Sequence, residues 1–210
     1  MDNHAEYVRA EWRLFHERRE PLAGLASRIV PAASRALDVG CGAGQELLPY
    51  LGATAIGIDL RKSGILAGRA LFRESGLRVP SMVVGAAEAL PFATASFDVV
   101  ICRLALPYAD VRRALGEMAR VLRAGGALVL QIHCLRYYLA HALGARNWRT
   151  LVHALRAIAS GAAFELTSWQ PGETFLRVGK LARLLAVAGV EMMEVSGWDR
   201  AAPLVLGRRC

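Results

Sequence analysis

The sequence predicts an α/β domain, a mostly parallel sheet with helices on both faces. Three observations point there. Short, near-continuously apolar runs recur along the chain, as strands buried on both faces do. Stretches with helical spacing of apolar residues fall between them, and that alternation is the signature of βαβ units. Three glycines at every second position, Gly40, Gly42 and Gly44, follow the first apolar run directly. At 210 residues the chain is sized for a single domain, and no repeat or linker divides it.

In chain order, residues 1–30 read as a helical segment with Tyr7, Trp12, Leu14 and Phe15 set among charges. The first strand is expected at 35–39 in "RALDVGCGAGQELLPYLG", and a helix-like run follows its glycines. Further strands are expected at 55–58, 81–84, 97–102 and 127–132. Between the last two, Val111, Leu115, Met118, Val121 and Leu122 share one helical stripe, with arginines opposite and a stop at Gly125-Gly126. Phe175, Val178, Leu181, Leu184 and Leu185 repeat that pattern, ending at Gly189. Residues 135–172 interrupt the rhythm after the fifth strand and read as a helical insertion or lid.

In open α/β sheets ligands bind beyond the carboxyl ends of the strands, near the point where strand order reverses. The glycine turn belongs to that place. Its residues can take backbone angles closed to others and offer no Cβ, so a ligand can lie against bare main chain. Asp59 closes the second expected strand and is placed to accept the two hydroxyls of a ribose. The plainer alternative is an acid capping the helix that follows. A dinucleotide fingerprint would read G-x-G-x-x-G; here the spacing is G-x-G-x-G, with Gln45 at the place of the final glycine.

The acid Asp38 followed by this turn resembles the first motif of class I S-adenosylmethionine-dependent methyltransferases. "AEALPF", "SFDVV" and "ALGEMARVLRAGGALVL" resemble later signatures of the same family, in order, and "LLAVAGVEMMEVSGW" resembles its last helix and sixth strand. The resemblance covers about three quarters of the chain and is nearest to the small-molecule group that includes the ubiquinone and menaquinone type. It implies a Rossmann-like sheet with an antiparallel final strand. It also implies S-adenosylmethionine as cofactor and S-adenosylhomocysteine as product. Asp38, Gly40, Cys41, Gly42 and Gly44 would line the methionine end. Asp59 would hold the ribose, Leu60 would flank the adenine, and Ala87 and Glu88 would offer main-chain groups to its edge. Arg103 and Leu104 would face the methionine moiety or the acceptor. Two places depart from the pattern: Ala86 stands where relatives carry an acid for the adenine amino group, and Pro107 where many carry a histidine.

Alignment of acceptor with methyl donor is the protein's main task in such a transfer, and an oxygen or carbon acid also needs a base. His133, ending the fifth strand, and Tyr108 are the candidate catalytic residues; Tyr137, Tyr138 and His141 are candidate substrate contacts. Packing is the plainer role for each. The insertion holds no acid between Cys134 and Phe164 while carrying Arg136, Arg146, Arg149 and Arg156, which fits a solvated basic face, an anionic or lipid-like acceptor, or contact with a membrane surface.

Net charge is +8, compatible with a nucleic-acid partner. However, "ALPY" lacks the first polar residue and one proline of the loop that grips a flipped base. A nucleic-acid (RNA) methyltransferase and a non-catalytic cofactor-binding module are therefore the alternatives to a small-molecule enzyme. Cys41, Cys102, Cys134 and Cys210 form no CxxC pair or metal-ligand spacing, so no metal is expected. The charged N-terminal stretch lacks a signal peptide's apolar segment and no run is long enough to span a membrane, which places the protein in the cytoplasm.

Overall fold

A computed structural model of the chain describes residues 3–17, 22–26, 28–30, 35–51, 54–197 and 202–210. Parts of the expected N-terminal segment (1–2, 18–21 and 27), together with Trp198, lie outside them. The sheet has seven strands: β1 (Ala36–Val39), β2 (Ala55–Asp59), β3 (Ser81–Val84), β4 (Phe97–Arg103), β5 (Leu122–Gln131), β6 (Val190–Ser196) and β7 (Leu204–Arg209). Their order is β3-β2-β1-β4-β5-β7-β6. β1 to β5 pair in parallel, and β7 runs antiparallel between β5 and β6. Chain order reverses between β1 and β4, so the crevice for a ligand opens there.

Helices α1 (Asn3–Glu17), α2 (Ala23–Ala26), α3 (Lys62–Glu74), α4 (Val111–Val121), α5 (Leu135–Leu143), α6 (Trp148–Thr167) and α7 (Val178–Val187) surround the sheet. The apolar stripe of α4, Val111, Leu115, Met118 and Val121, is buried against one sheet face together with Leu181 and Leu185 of α7. Leu22, Ala26 and Tyr50 cover Val99, Ile101 and Val129 on the other. α1 docks on α3, where Trp12 meets the edge of Phe72 with ring centroids 4.9 Å apart.

Three elements differ from the sequence reading. The run after the glycines is a short 3-10 helix, Gln45–Tyr50, because Pro49 within it has no N–H to extend an α-helical ladder. α4 stops at Val121, ahead of Gly125. Leu122 leaves with extended backbone and pairs with Phe97, so the sheet captures the chain before the glycines do, and a register shift absorbs the difference. α7 begins at Val178, which leaves Phe175 in the preceding segment; Phe175 is buried against Gly161 of α6, where a Cβ would come within 2.2 Å of its ring. The expected insertion is the α5–α6 pair. Among the described residues no helix is long and apolar enough to cross a membrane.

Candidate functional site

The first strand-to-helix turn is set by main-chain bonds. Gly40 N–H and Cys41 N–H both donate to the Ile58 carbonyl, at 2.8 and 3.0 Å, pinning the turn to β2. Gly40, at φ +73°, lies so close to the loop after β4 that a Cβ would sit 2.1 Å from Ala105 Cβ. Gly42, at φ +53°, is the opposite case. A Cβ there would meet nothing within 4 Å, so its Cα faces open space. Asp59, closing β2, bridges both turns: Oδ2 accepts from Gly42 N–H at 2.9 Å and Oδ1 from Arg61 N–H at 2.7 Å. An ionised carboxylate has about four lone-pair sites, so two acceptor positions remain.

These residues wall a cavity of about 530 Å³ at the carboxyl ends of β1, β2, β3 and β4, within the usual size of a small-ligand site. Of the eleven positions expected to bind a cofactor, ten line it: Asp38, Gly40, Cys41, Gly42, Asp59, Leu60, Ala87, Glu88, Arg103 and Leu104. Gly44 is the exception. At φ +81° it leads into the 3-10 helix, and its Cα faces the core, where a Cβ would lie 2.9 Å from Met82 Sδ. Leu60 forms an exposed apolar rim, and Ala86 lines the cavity beside Ala87. Glu88 turns its carboxylate to Asp110 N–H at 2.8 Å, tying the loop after β3 to the start of α4. Leu104 sits at φ +59° with its N–H on the Gln131 carbonyl; a leucine in the left-handed region is an outlier of the kind that gathers at functional sites.

The wall around Arg103 is a charge network. Arg103, nearly buried, pairs with Glu46 at 3.0 Å and with Glu11 of α1. Burial works against its charge, but Glu11 and Glu46 outweigh burial and hold its pKa above the ordinary value. Beneath lies Asp38, 1% exposed, whose Oδ1 has no hydrogen-bond partner among the described residues. Burial, reinforced by Glu46, pushes its carboxyl well above the usual range against the pull of Arg103. Burial also keeps the Cys41 thiol protonated, so it is no nucleophile. Five carboxylates (Glu11, Asp38, Glu46, Asp59, Glu88) face this cavity against two guanidiniums (Arg61, Arg103). In a chain of net charge +8, the site is locally acidic and suits a cationic ligand.

The catalytic and substrate candidates scatter. Tyr108 lines the cavity and is 60% exposed. His133 does not line it; the imidazole is buried, stacked on Tyr137 at 3.7 Å, and its Nδ1 has no hydrogen-bond partner among the described residues. Burial and then His141 lower its pKa to about 4. Tyr138, fully buried, donates its hydroxyl to Glu173 at 2.7 Å, and burial followed by that bond raises its pKa far above the ordinary value. His141 is exposed and bonded to the Tyr137 carbonyl. Of the five candidates Tyr108 alone lines the cavity; His133, Tyr137, Tyr138 and His141 do not.

Glu11 and Glu46 are the cavity-wall positions that sequence reasoning missed. Glu46 had a weak signal, an acid directly after a glycine turn in an apolar run. Glu11 had none, because nothing local separates it from the other acids of α1.

Comparisons with known proteins agree with this geometry. Residues 37–130 match the family described as Methyltransferase domain (Methyltransf_11). An uncharacterized methyltransferase of Bacillus subtilis, YcgJ, is 39% identical over 106 residues, 49% of this chain and 42% of that protein. The ubiquinone biosynthesis O-methyltransferase of Xanthomonas axonopodis is 29% identical over 82% of this chain and 69% of its own length. The crystal structure of an S-adenosylmethionine-dependent methyltransferase from Mesorhizobium loti superposes with a TM-score of 0.64 at 21% identity, covering 90% of this chain and all of that one.

Proposed function

Because this chain is a class I S-adenosylmethionine-dependent methyltransferase, we propose that its strand-end cavity holds the cofactor and that it methylates a small-molecule acceptor. The observation that carries this reading is the pairing of bare main chain at Gly42 with an acid-lined wall. S-adenosylmethionine has a ribose diol, a cationic ammonium and a cationic sulfonium. The two acceptor positions left on Asp59 suit the diol, and the orphaned Asp38 oxygen and its acidic neighbours suit the positive charge.

When bound, the cofactor supplies a methyl group already activated on a sulfonium. The chain's own part is to bind and align. Gly40, Cys41 and Gly42 let the ligand lie on main chain. Leu60 offers an apolar flank, and Ala87 and Glu88 offer main-chain groups. Arg103 and Leu104 border the acceptor side, and α1 closes that wall through Glu11. Tyr108 stands ahead of His133 as the group to accept a proton, since it lines the cavity and His133 does not. The exposed face of α6, with Trp148, Leu151 and Leu155 beside Arg149 and Arg156, favours an anionic or lipid-like acceptor. Cytoplasmic residence is part of the same reading.

Calorimetry with S-adenosylmethionine and S-adenosylhomocysteine tests it. Both should bind, and Asp59→Ala should weaken each by about ten- to a hundredfold, the worth of hydrogen bonds to a charged acceptor. Binding of NADH with neither of these would overturn the reading.

A further inference from the structure

The return of the insertion is sewn to the loop after β4. Gln170 Oε1 accepts from Val111 N–H at 3.1 Å, Gln170 Nε2 donates to the Ala109 carbonyl at 2.6 Å, and Thr174 N–H donates to the Pro107 carbonyl at 3.0 Å. Between the two segments lies a second cavity of about 430 Å³, which shares Tyr108 and Ala109 with the first. Its exposed edges include two aromatic rings, Tyr108 and Trp169, 60% and 67% exposed. Glu173 lines it, with a side chain only 11% exposed. That carboxylate is held on both oxygens, Oε1 by Tyr138 O–H at 2.7 Å and Oε2 by His153 Nε2 at 3.1 Å. Two partners fix its position, and the remaining lone pairs are acceptors only.

We propose that this second cavity is a binding site for the acceptor. It takes a planar, hydrogen-bond-donating portion of that molecule, set beside Tyr108 and Trp169, with Glu173 receiving its hydrogen bond. The inference rests on the methyltransferase reading and adds to it a place, a ligand chemistry and a residue. Exposed rings on a concave wall bind flat groups at low entropic cost, having few torsions to lose. A carboxylate held by two partners keeps spare lone pairs, so a ligand that donates gains one further charge-assisted hydrogen bond over a ligand that cannot. Tyr108, common to both cavities, is where the bound acceptor would meet the methyl donor.

The test uses phenol, anisole and cyclohexanol as probes on the full chain. The readout is the indole N–H signal of Trp169 in a nitrogen–proton NMR spectrum, assigned by its loss in Trp169→Phe. Phenol should move that signal. Anisole (flat, no donor) and cyclohexanol (a donor, not flat) should each bind about tenfold more weakly. Glu173→Gln should weaken phenol by about the same factor while the affinity for S-adenosylhomocysteine stays as in the parent. Equal binding of phenol and anisole, or phenol shifts that spare Trp169, would overturn the proposal. Should Glu173→Gln not fold, the parent's ranking of the three probes still decides. Loss of S-adenosylhomocysteine binding in the parent would instead strike the methyltransferase reading, and the two failures are thereby told apart.

Discussion

The two cavities meet at Tyr108 and Ala109, yet they are made of different material. The strand-end cavity is shaped by main chain: glycines at positive φ, N–H groups on the Ile58 carbonyl, and a carboxylate that bridges two turns. Its face is acidic. The cavity under the insertion is shaped by side chains from distant segments, Tyr108, Phe164, Trp169, Gln170 and Glu173, and it adjoins helices without an acid from Cys134 to Phe164. Main-chain walls change little when a side chain is exchanged, whereas walls of side chains are rewritten by single substitutions. The first kind suits a ligand common to many enzymes and the second an acceptor peculiar to one.

The comparison breaks most visibly at Arg103. Arg103→Met leaves Glu11 and Glu46 without their cation in a nearly buried place, and should cost about 3–5 kcal/mol of stability in urea denaturation. It should also free α1 from the cavity wall, read as faster hydrogen exchange across Asn3–Glu17. A variant as stable as the parent would mean that the acidic wall is not held by this pair.

On the insertion side, His133 has a folded pKa of about 4 against an ordinary 6.5. A depressed value means that its contribution is present above pH 6.5 and is lost as pH falls toward 4, a difference of about 3 kcal/mol. The parent should therefore lose stability across that window, and His133→Phe should flatten its share of the loss. Identical pH profiles for the two would place the imidazole in a wetter setting than its stack on Tyr137 implies.

Smaller effects sharpen the contrast. Ala86→Asp restores an acid on the strand-end wall and should tighten S-adenosylhomocysteine by about tenfold or less, one hydrogen bond's worth. Arg146, Arg149 and Arg156, each changed to Gln, should alter stability by less than about 0.5 kcal/mol, as exposed positions do, and leave cofactor affinity unchanged. Reduced binding to vesicles of anionic lipid in these variants would favour a lipid-like acceptor; unchanged turnover and vesicle binding would leave the arginines as solvated charge.

The same division explains what could be read from residues alone. Strand 97–102 matched within a residue because burial on both faces leaves an unbroken apolar run; 55–58 and 81–84 matched as well, although β3 is an edge strand whose Val83 and Val84 are exposed and whose apolar letters report β propensity instead. The turn and Asp59 were legible because backbone angles demand glycine and strand ends demand position. Gly44 was misplaced as a lining residue, since the letter reports a positive φ but not which way its Cα faces. The end of α4 was set by pairing of Leu122 with Phe97, a contact across 25 residues that no local stop signal reports. Glu11 on Arg103 and Glu173 on Tyr138 are long-range in the same sense. Tyr138 read as a substrate contact because a tyrosine after a strand end looks available, and only the fold reveals that its hydroxyl is taken.

One feature of the sheet bears on how the molecule comes into being. β7 is last along the chain but lies between β5 and β6, so those two have no ladder to share until Leu204–Arg209 arrive. During synthesis the parallel half can form while β6 waits with an unpaired edge. Such an edge is a template for pairing with a neighbouring nascent chain. Closing the sheet also joins strands more than 70 residues apart, Leu128 with Gly207 for instance, and contacts of that span are slow to find. Until that step is complete, the facing edges of β5 and β6 stay open to pairing with other chains.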